Sequence, residues 1–309
     1  MINVHVSRKR LLADLSLLGI AISWGYTFIL AKDLLAEMTP LFFTGSRFLV
    51  AALILAIWQW KRIKEMTPFY WKAGIFSGFL LCLAYTAQIY GIDLTTPGKA
   101  GMITGTAVVM VPFLYFLWSR KPIQKGPILG SLCAFLGLCL FSWDGSFEGM
   151  NSGDLLVLLC ALCFATHTVY VDRTYEKEEP VNPLLFAMVQ LAVVGVVDTV
   201  LALILEPAPK QLSAYGWYAY LFELVIGTLI AYIVQLRAQS ITTPIRVSLL
   251  LSLESVFAFG FSWMLWGEPV TMTILFGGII LLAGIYITEI YNKPYPNDDG
   301  HVKKNPIET

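Results

Sequence analysis

Charged side chains are scarce in this sequence. They make up 14% of 309 residues, where soluble domains carry about one quarter, while 57% of residues are hydrophobic and the mean hydropathy is +0.69. That balance argues against a soluble globule. A basic surface is lacking as well, since 21 Lys and Arg face 21 Asp and Glu, so nucleic acid finds no electrostatic footing. The three histidines, His5, His167 and His301, are scattered, which leaves a membrane-embedded enzyme without a convergent set of ligands or bases. No GxxxxGK[ST] string occurs, so direct coupling to ATP has no support, and no cofactor is implied. A sensor or interaction protein would need a soluble output domain or a long binding loop, and neither is present. The five cysteines all fall inside apolar stretches and imply packing rather than disulfides. Cys160 and Cys163 have a redox spacing, but they sit in LLVLLCALCFA with no soluble fold around them.

What is there is apolar length. Runs of roughly 20 residues, enough to cross a hydrocarbon core, lie near 11–31, 39–60, 69–91, 97–118, 123–143, 153–173, 181–205, 215–239, 243–265 and 271–291. Arg8, Lys9 and Arg10 precede the first of these as in a signal peptide, but the run is too long and no small-residue cleavage site follows, so it is the first span. Several runs open on Thr-Pro or Asn-Pro: Thr39-Pro40, Thr67-Pro68, Thr96-Pro97, Asn182-Pro183 and Thr243-Pro244. Proline suits a first helical turn because its missing N–H costs nothing there. With the N-terminus inside, seventeen of the 21 basic residues fall in cytoplasmic segments and three, Lys32, Lys99 and Lys210, fall outside; Arg47 lies within a span. The positive-inside bias therefore predicts both termini in the cytoplasm of a cell that holds this protein in its inner or plasma membrane.

A shift of 147 residues overlays the two halves. Ala84-Tyr85, Gln88 and Thr95-Thr96-Pro97 fall on Ala231-Tyr232, Gln235 and Thr242-Thr243-Pro244; Lys99 falls on Arg246, Pro122 on Pro269, Gly130 on Gly277 and Gly137 on Gly284. Each half holds five spans, an odd number, so consecutive copies must enter the membrane from opposite sides. The expected fold is an all-α integral membrane protein of ten transmembrane helices in two inverted five-helix repeats, 1–149 and 150–292, followed by a disordered cytoplasmic tail, 293–309. Inverted repeats are a hallmark of secondary transporters.

The sequence resembles the EamA-type transporters of the drug/metabolite transporter superfamily. The resemblance rests on LGIAISWGYTFILAKDL, TPLFFTGSRFLVAALIL, TTPGKAGMITGTAVVMVPFLYFLWSRKP and TTPIRVSLLLSLESVFAFGFSWMLWGEP, and it covers residues 11–291. It implies alternating access and movement of small organic solutes, such as amino acids, drugs or other metabolites, with export the expected direction. A proton, another ion or the solute's own gradient would drive it. Where such proteins carry Glu-Pro in the ninth span, this chain has Glu254-Ser255, a change expected to remove a helix distortion.

Polar groups inside a span are costly and usually face a cavity or a partner. Arg47, in the family's Arg-Phe pair, could hold a solute carboxylate with its planar fork, or tie helix ends together. Glu254 in the ninth span is a candidate protonation site or a helix-to-helix hydrogen bond. His167 is a proton or solute group, or a satisfied core histidine; its H-x4-D spacing to Asp172 puts the two about 140° apart on one helix, which discounts an acyltransferase pair. Trp24, Thr27, Tyr85, Gln88, Tyr232 and Gln235 supply aromatic walls and amides for a solute site. Tyr85 and Gln88 share a helix face, as do Tyr232 and Gln235. Lys99 and Arg246, each just past a Thr-Thr-Pro corner and on opposite membrane faces, are candidate gates. Gly101, Gly105, Gly277, Gly278 and Gly284 suit close helix packing.

Overall fold

Proline and threonine set where many of the helices begin. Pro40, Pro68, Pro97, Pro183 and Pro244 each stand in a first helical turn. Just ahead of them Thr67, Thr96 and Thr243 accept from the backbone N–H of Tyr70, Lys99 and Arg246, satisfying a donor that the helix leaves open. The computed structural model describes residues 8–120, 125–141, 151–176, 182–209, 211–267 and 270–291. The expected tail 293–309, the expected junction at 149/150, the Pro122–Pro269 match and Lys121, Lys177, Lys210, Lys293, Lys303 and Lys304 lie outside the described residues.

Among those residues every α, 3-10 or π element is helical and there is no strand. The order is α1 (Arg8–Leu34), α2 (Pro40–Trp58), a 3-10 turn (Ile63–Glu65), α3 (Pro68–Leu94), α4 (Pro97–Gly105), α5 (Ala107–Ser119), α6 (Lys125–Phe141) and α7 (Ser152–Tyr175). There follow α8 (Pro183–Leu205), α9 (Ala214–Phe222), a π-helical stretch (Glu223–Ile230), α10 (Ala231–Gln239), α11 (Pro244–Leu251), α12 (Glu254–Trp266) and α13 (Met272–Tyr291). Eight stretches are long and apolar enough to cross a membrane: Leu11–Leu34, Pro40–Trp58, Pro68–Leu94, Pro97–Trp118, Ser152–Tyr175, Pro183–Leu205, Ala214–Gln239 and Ile245–Leu265. The other two expected spans are helical too, as α6 with 17 residues and as α13, which carries the shorter apolar stretch Leu275–Gly284. The main core lies between α2, α3 and α8, around Phe43, Phe48, Leu55, Leu81 and Phe186. Leu53, Ile57, Leu83, Leu203 and Ile204 face outward, as lipid-facing side chains do.

Three expected spans are not simple α-helices. The fourth turns at Thr106 between α4 and α5, and the ninth turns at Ser252–Leu253 between α11 and α12. Thr106 and Leu253 are 147 residues apart. The expectation that Ser255 straightens the ninth span is therefore corrected. In place of proline, hydroxyls do the bending: Ser248 and Ser252 donate to the carbonyls of Ile245 and Leu249 at 2.9 and 2.7 Å, while Ser255 donates across to Gly101 on α4 at 2.8 Å. The backbone tightens to three-residue bonds, Ser255 N to Ser252 O at 3.2 Å and Val256 N to Leu253 O at 3.0 Å. The eighth span opens into π-helix from Glu223 onward, and the Gly227 carbonyl accepts from the Trp24 indole at 2.8 Å.

Helix pairs close on glycine in a reciprocal way. A Cβ on Gly137 of α6 would strike the backbone of Leu281 and Gly277 on α13, and one on Gly284 would strike that of Ala134 and Gly130 on α6. Each contact maps onto the other under the 147-residue exchange. Likewise Gly45 of α2 abuts the backbone at Asp198–Thr199 on α8, while Gly195 of α8 abuts Leu49 on α2.

The loops 35–39 and 206–213 are clipped together at one end of the bundle. Glu37 accepts from the Ser213 N–H and hydroxyl, both at 2.7 Å, and Glu206 accepts from the N–H groups of Leu41 and Phe42 at the start of α2, both at 2.9 Å. The Ser213 N–H, and after it the hydroxyl, hold the Glu37 carboxyl below the usual glutamate range. A depressed value means that the clip contributes fully above the titration of the unfolded carboxyl and fades as pH falls through Glu37's own. The thermal-stability gap between the protein and Glu37→Gln should be present at neutral pH and close below about pH 4, read by detergent-solubilised melting curves. The glycine contacts predict that Gly195→Val, which drives a branched side chain into the Leu49 backbone, lowers stability by about 2 kcal/mol or more in the same assay.

Candidate functional site

The bent helices and the π-stretch enclose a cavity of about 950 Å³, the open space at its mouth included. Trp24, Thr27, Arg47, Tyr85, Gln88, His167, Tyr232, Gln235 and Glu254 all line it. The two Tyr/Gln faces, 147 residues apart in sequence, meet here, and the Tyr232 hydroxyl donates to that of Tyr85 at 2.8 Å. Phe48 packs on Tyr85 at 4.7 Å between ring centroids, Phe164 at 5.1 Å, and Trp24 lies 6.2 Å from Tyr232. Aromatic walls with a few converging polar groups are what small-molecule sites use.

Arg47 is 6% exposed and forms an ion pair with Glu223, 1% exposed, at the first position of the π-stretch. Its guanidinium carbon stands 4.5 Å from the Phe43 ring, 5.0 Å from Phe48 and 5.4 Å from Tyr85. Arg47 Nε and Glu223 Oε1 keep unused hydrogen-bonding capacity beside the cavity, as does Gln235 Oε1. Gln88 donates to Thr104 at 3.4 Å. His167 is bonded to Gln190 at 2.6 Å, so it is a satisfied core histidine and a cavity wall at once. The Glu254 carboxyl makes no hydrogen bond or ion pair among the described residues, and it stands at the α11–α12 turn rather than within an unbroken helix.

The two expected gates lie apart from the cavity lining. Lys99 pairs with Asp154 at 2.7 Å and Arg246 with Asp14 at 2.6 Å. Asp154 and Asp14 stand near the starts of α7 and α1, so each basic residue past a Thr-Thr-Pro corner is tied to the first helix of the other half. Asp154 also completes a capping box with Asn151 and accepts from Thr95 at 2.9 Å.

Residue reasoning missed Glu223, Gln190, Asp14 and Asp154. Glu223 was findable, because an acid inside an apolar run carries the same penalty that singled out Arg47. Its pairing was not, because 176 residues separate the partners.

The profile of the EamA-like transporter family matches residues 11–143 and 151–290. This chain belongs to that family. It is 30% identical to an uncharacterized transporter of Archaeoglobus fulgidus over 91% of this chain and 87% of the relative. It is 22% identical to the uncharacterized transporter YoaV of Bacillus subtilis over 88% of this chain and 95% of that one. A solved crystal structure shares the fold, with a TM-score of 0.74 at 14% identity over 91% of this chain and 97% of its own. As an EamA-like transporter the chain is a multi-pass membrane protein, and its cavity holds a charge pair in which each partner needs the other.

Removing one partner leaves a buried charge uncompensated, at about 3–5 kcal/mol. Glu223→Gln should therefore lower the melting temperature sharply, and the double replacement Arg47→Met with Glu223→Leu should recover most of the loss.

Proposed function

We propose that this protein moves small organic solutes, of the size of amino acids or drug-like metabolites, out of the cell by alternating access between two inverted five-helix repeats, 1–149 and 150–292. In this reading α6 and α13 complete ten spans, both termini are cytoplasmic, and the protein resides in the inner or plasma membrane. The observation that carries it is the cavity itself: it is walled by repeat-related Tyr85/Gln88 and Tyr232/Gln235, and a hydrogen bond joins the two tyrosines where the halves meet. The reciprocal glycine contacts and the 147-residue recurrence of the turns at Thr106 and Leu253 support the repeat. The odd number of spans per half supports its inversion.

The solute's polar end is oriented by Gln88, Gln235 and Arg47, whose fork exchanges part of its bond to Glu223 for the solute, while Trp24, Thr27, Tyr85 and Tyr232 form the wall. Glu254, without a partner among the described residues, can take a proton or a cationic group, and His167 stiffens the wall through Gln190. Lys99–Asp154 and Arg246–Asp14 act as gates on opposite faces, each holding the two repeats together at one end. Rocking of one repeat against the other breaks one pair at a time.

A thermal-shift screen of the purified protein against amino acids, nucleosides, polyamines and common drugs identifies a solute, since a ligand of the folded state raises apparent stability. Flux of that solute into liposomes should fall about tenfold or more in both Gln88→Ala and Gln235→Ala, with expression and melting temperature intact. Unchanged kinetics in both variants reject the site.

A further inference from the structure

Three of the buried acids, Asp154, Asp172 and Asp198, stand outside the cavity lining, and Asp198 is set apart by how it is held. Asp198 of α8 is 0% exposed and does not line the solute space. Its Oδ1 accepts from the Thr86 hydroxyl at 3.0 Å and from the Cys82 thiol at 3.4 Å, both on α3, while its Oδ2 has no hydrogen-bond partner among the described residues. On the other side Gly45 brings the backbone of α2 directly against Asp198 and Thr199, sealing the position between three helices. A full negative charge with one unsolvated oxygen is costly at such a depth. Donors gathered on Oδ1 leave Oδ2 as the oxygen on which a proton can sit.

Polar groups lead from the clipped loop end toward this acid. Glu206, half-buried at the end of α8, accepts at 3.2 Å from the hydroxyl of Tyr90. Tyr90 stands one helical turn along α3 from Thr86, and Thr86 holds Asp198. Beyond Asp198, Arg47 stands two residues along α2 from Gly45, whose backbone abuts Asp198, and Arg47 is bonded to Glu223 at the cavity. We propose that Asp198 is a proton-loading site separate from the solute cavity, reached from the α8–α9 loop end past Glu206 and Tyr90 and felt in the cavity through Arg47.

The step is the uptake of one proton by a carboxylate and its return. It changes by one unit the charge that Arg47 faces opposite Glu223. The ionisable neighbours are Arg47 from α2, Cys82 and Tyr90 from α3, and Glu206 on α8 itself. The remaining helix on α8, α10, carries Tyr232, whose hydroxyl is given to Tyr85, and Arg237, which lies in its last turn. The use of this proton in driving flux rests on the transport reading above; the protonation itself does not.

Infrared difference spectroscopy of the full chain in lipid nanodiscs, stepped in pH, tests it without a solute. The expected result is a protonated-carboxyl C=O band that bleaches as pH rises, is lost in Asp198→Asn and is kept in Glu254→Gln. Thr86→Val, which removes a donor but keeps the acid, should shift that band to higher frequency and serves if Asp198→Asn fails to fold. Glu206→Gln should keep the band and slow its hydrogen–deuterium exchange. A carboxyl band that is identical in the protein and Asp198→Asn, or unmoved by Thr86→Val, overturns the proposal. Either failure leaves the transporter reading standing, because solute flux and its loss in Gln88→Ala and Gln235→Ala are measured separately.

Discussion

The ion pair between Arg47 and Glu223 is the interaction around which the cavity is organised. Neither charge could be left alone in an apolar bundle, so the helices that carry them, α2 and the π-helical stretch after α9, are fixed relative to each other. Phe43, Phe48 and Tyr85 crowd the guanidinium, which places the aromatic wall beside the pair. The wider turn of the π-helix begins at Glu223 itself, and it leaves the Gly227 carbonyl to the Trp24 indole. A pair buried in this way adds little net stability over an apolar replacement. Its effect is to fix two charged side chains in the cavity wall, beside the polar groups of Thr27, Gln88 and Gln235.

The same constraint explains how the helices bend. A bent helix must satisfy the backbone groups it frees, and within a bundle no bulk water serves them. Thr104, Thr106, Ser248, Ser252 and Ser255 bring hydroxyls to those carbonyls at or near the two turns. The ninth span is therefore bent without proline at position 255: Ser248 and Ser252 bond the preceding turn, and the Ser255 hydroxyl ties α12 to the Gly101 carbonyl of α4. The turns also place Glu254 and Thr104 at the cavity edge, which a straight helix would not do.

At the ends of the bundle, charge is held by short-range partners rather than by long-range fields. Lys99 and Arg246 each reach an acid near the start of a helix in the other half. Glu37 and Glu206 accept from backbone N–H groups of the opposing loop or helix end. Each tie runs through a charged side chain, in contrast to the reciprocal glycine contacts of α6 with α13, where backbone lies against backbone.

The sequence by itself determined the all-helical membrane architecture, because continuous apolar runs of roughly 20 residues cross a bilayer as helices, which satisfy their backbone groups within the segment. It also determined the family, and it marked nine of the residues that line the cavity, because a polar or aromatic side chain in an aliphatic run is conspicuous at any position. Thr-Pro corners were legible for a similar reason, since capping is settled within four residues. What only the tertiary structure decided is who partners whom. That Arg47 answers Glu223, that Tyr85 meets its repeat-related Tyr232, and that Lys99 and Arg246 cross to Asp154 and Asp14 depend on helices distant in sequence being pressed together. The bend at Ser252–Leu253 was hidden as well, because a hydroxyl bends a helix only where its geometry lets it bond the turn before, and no residue type announces that.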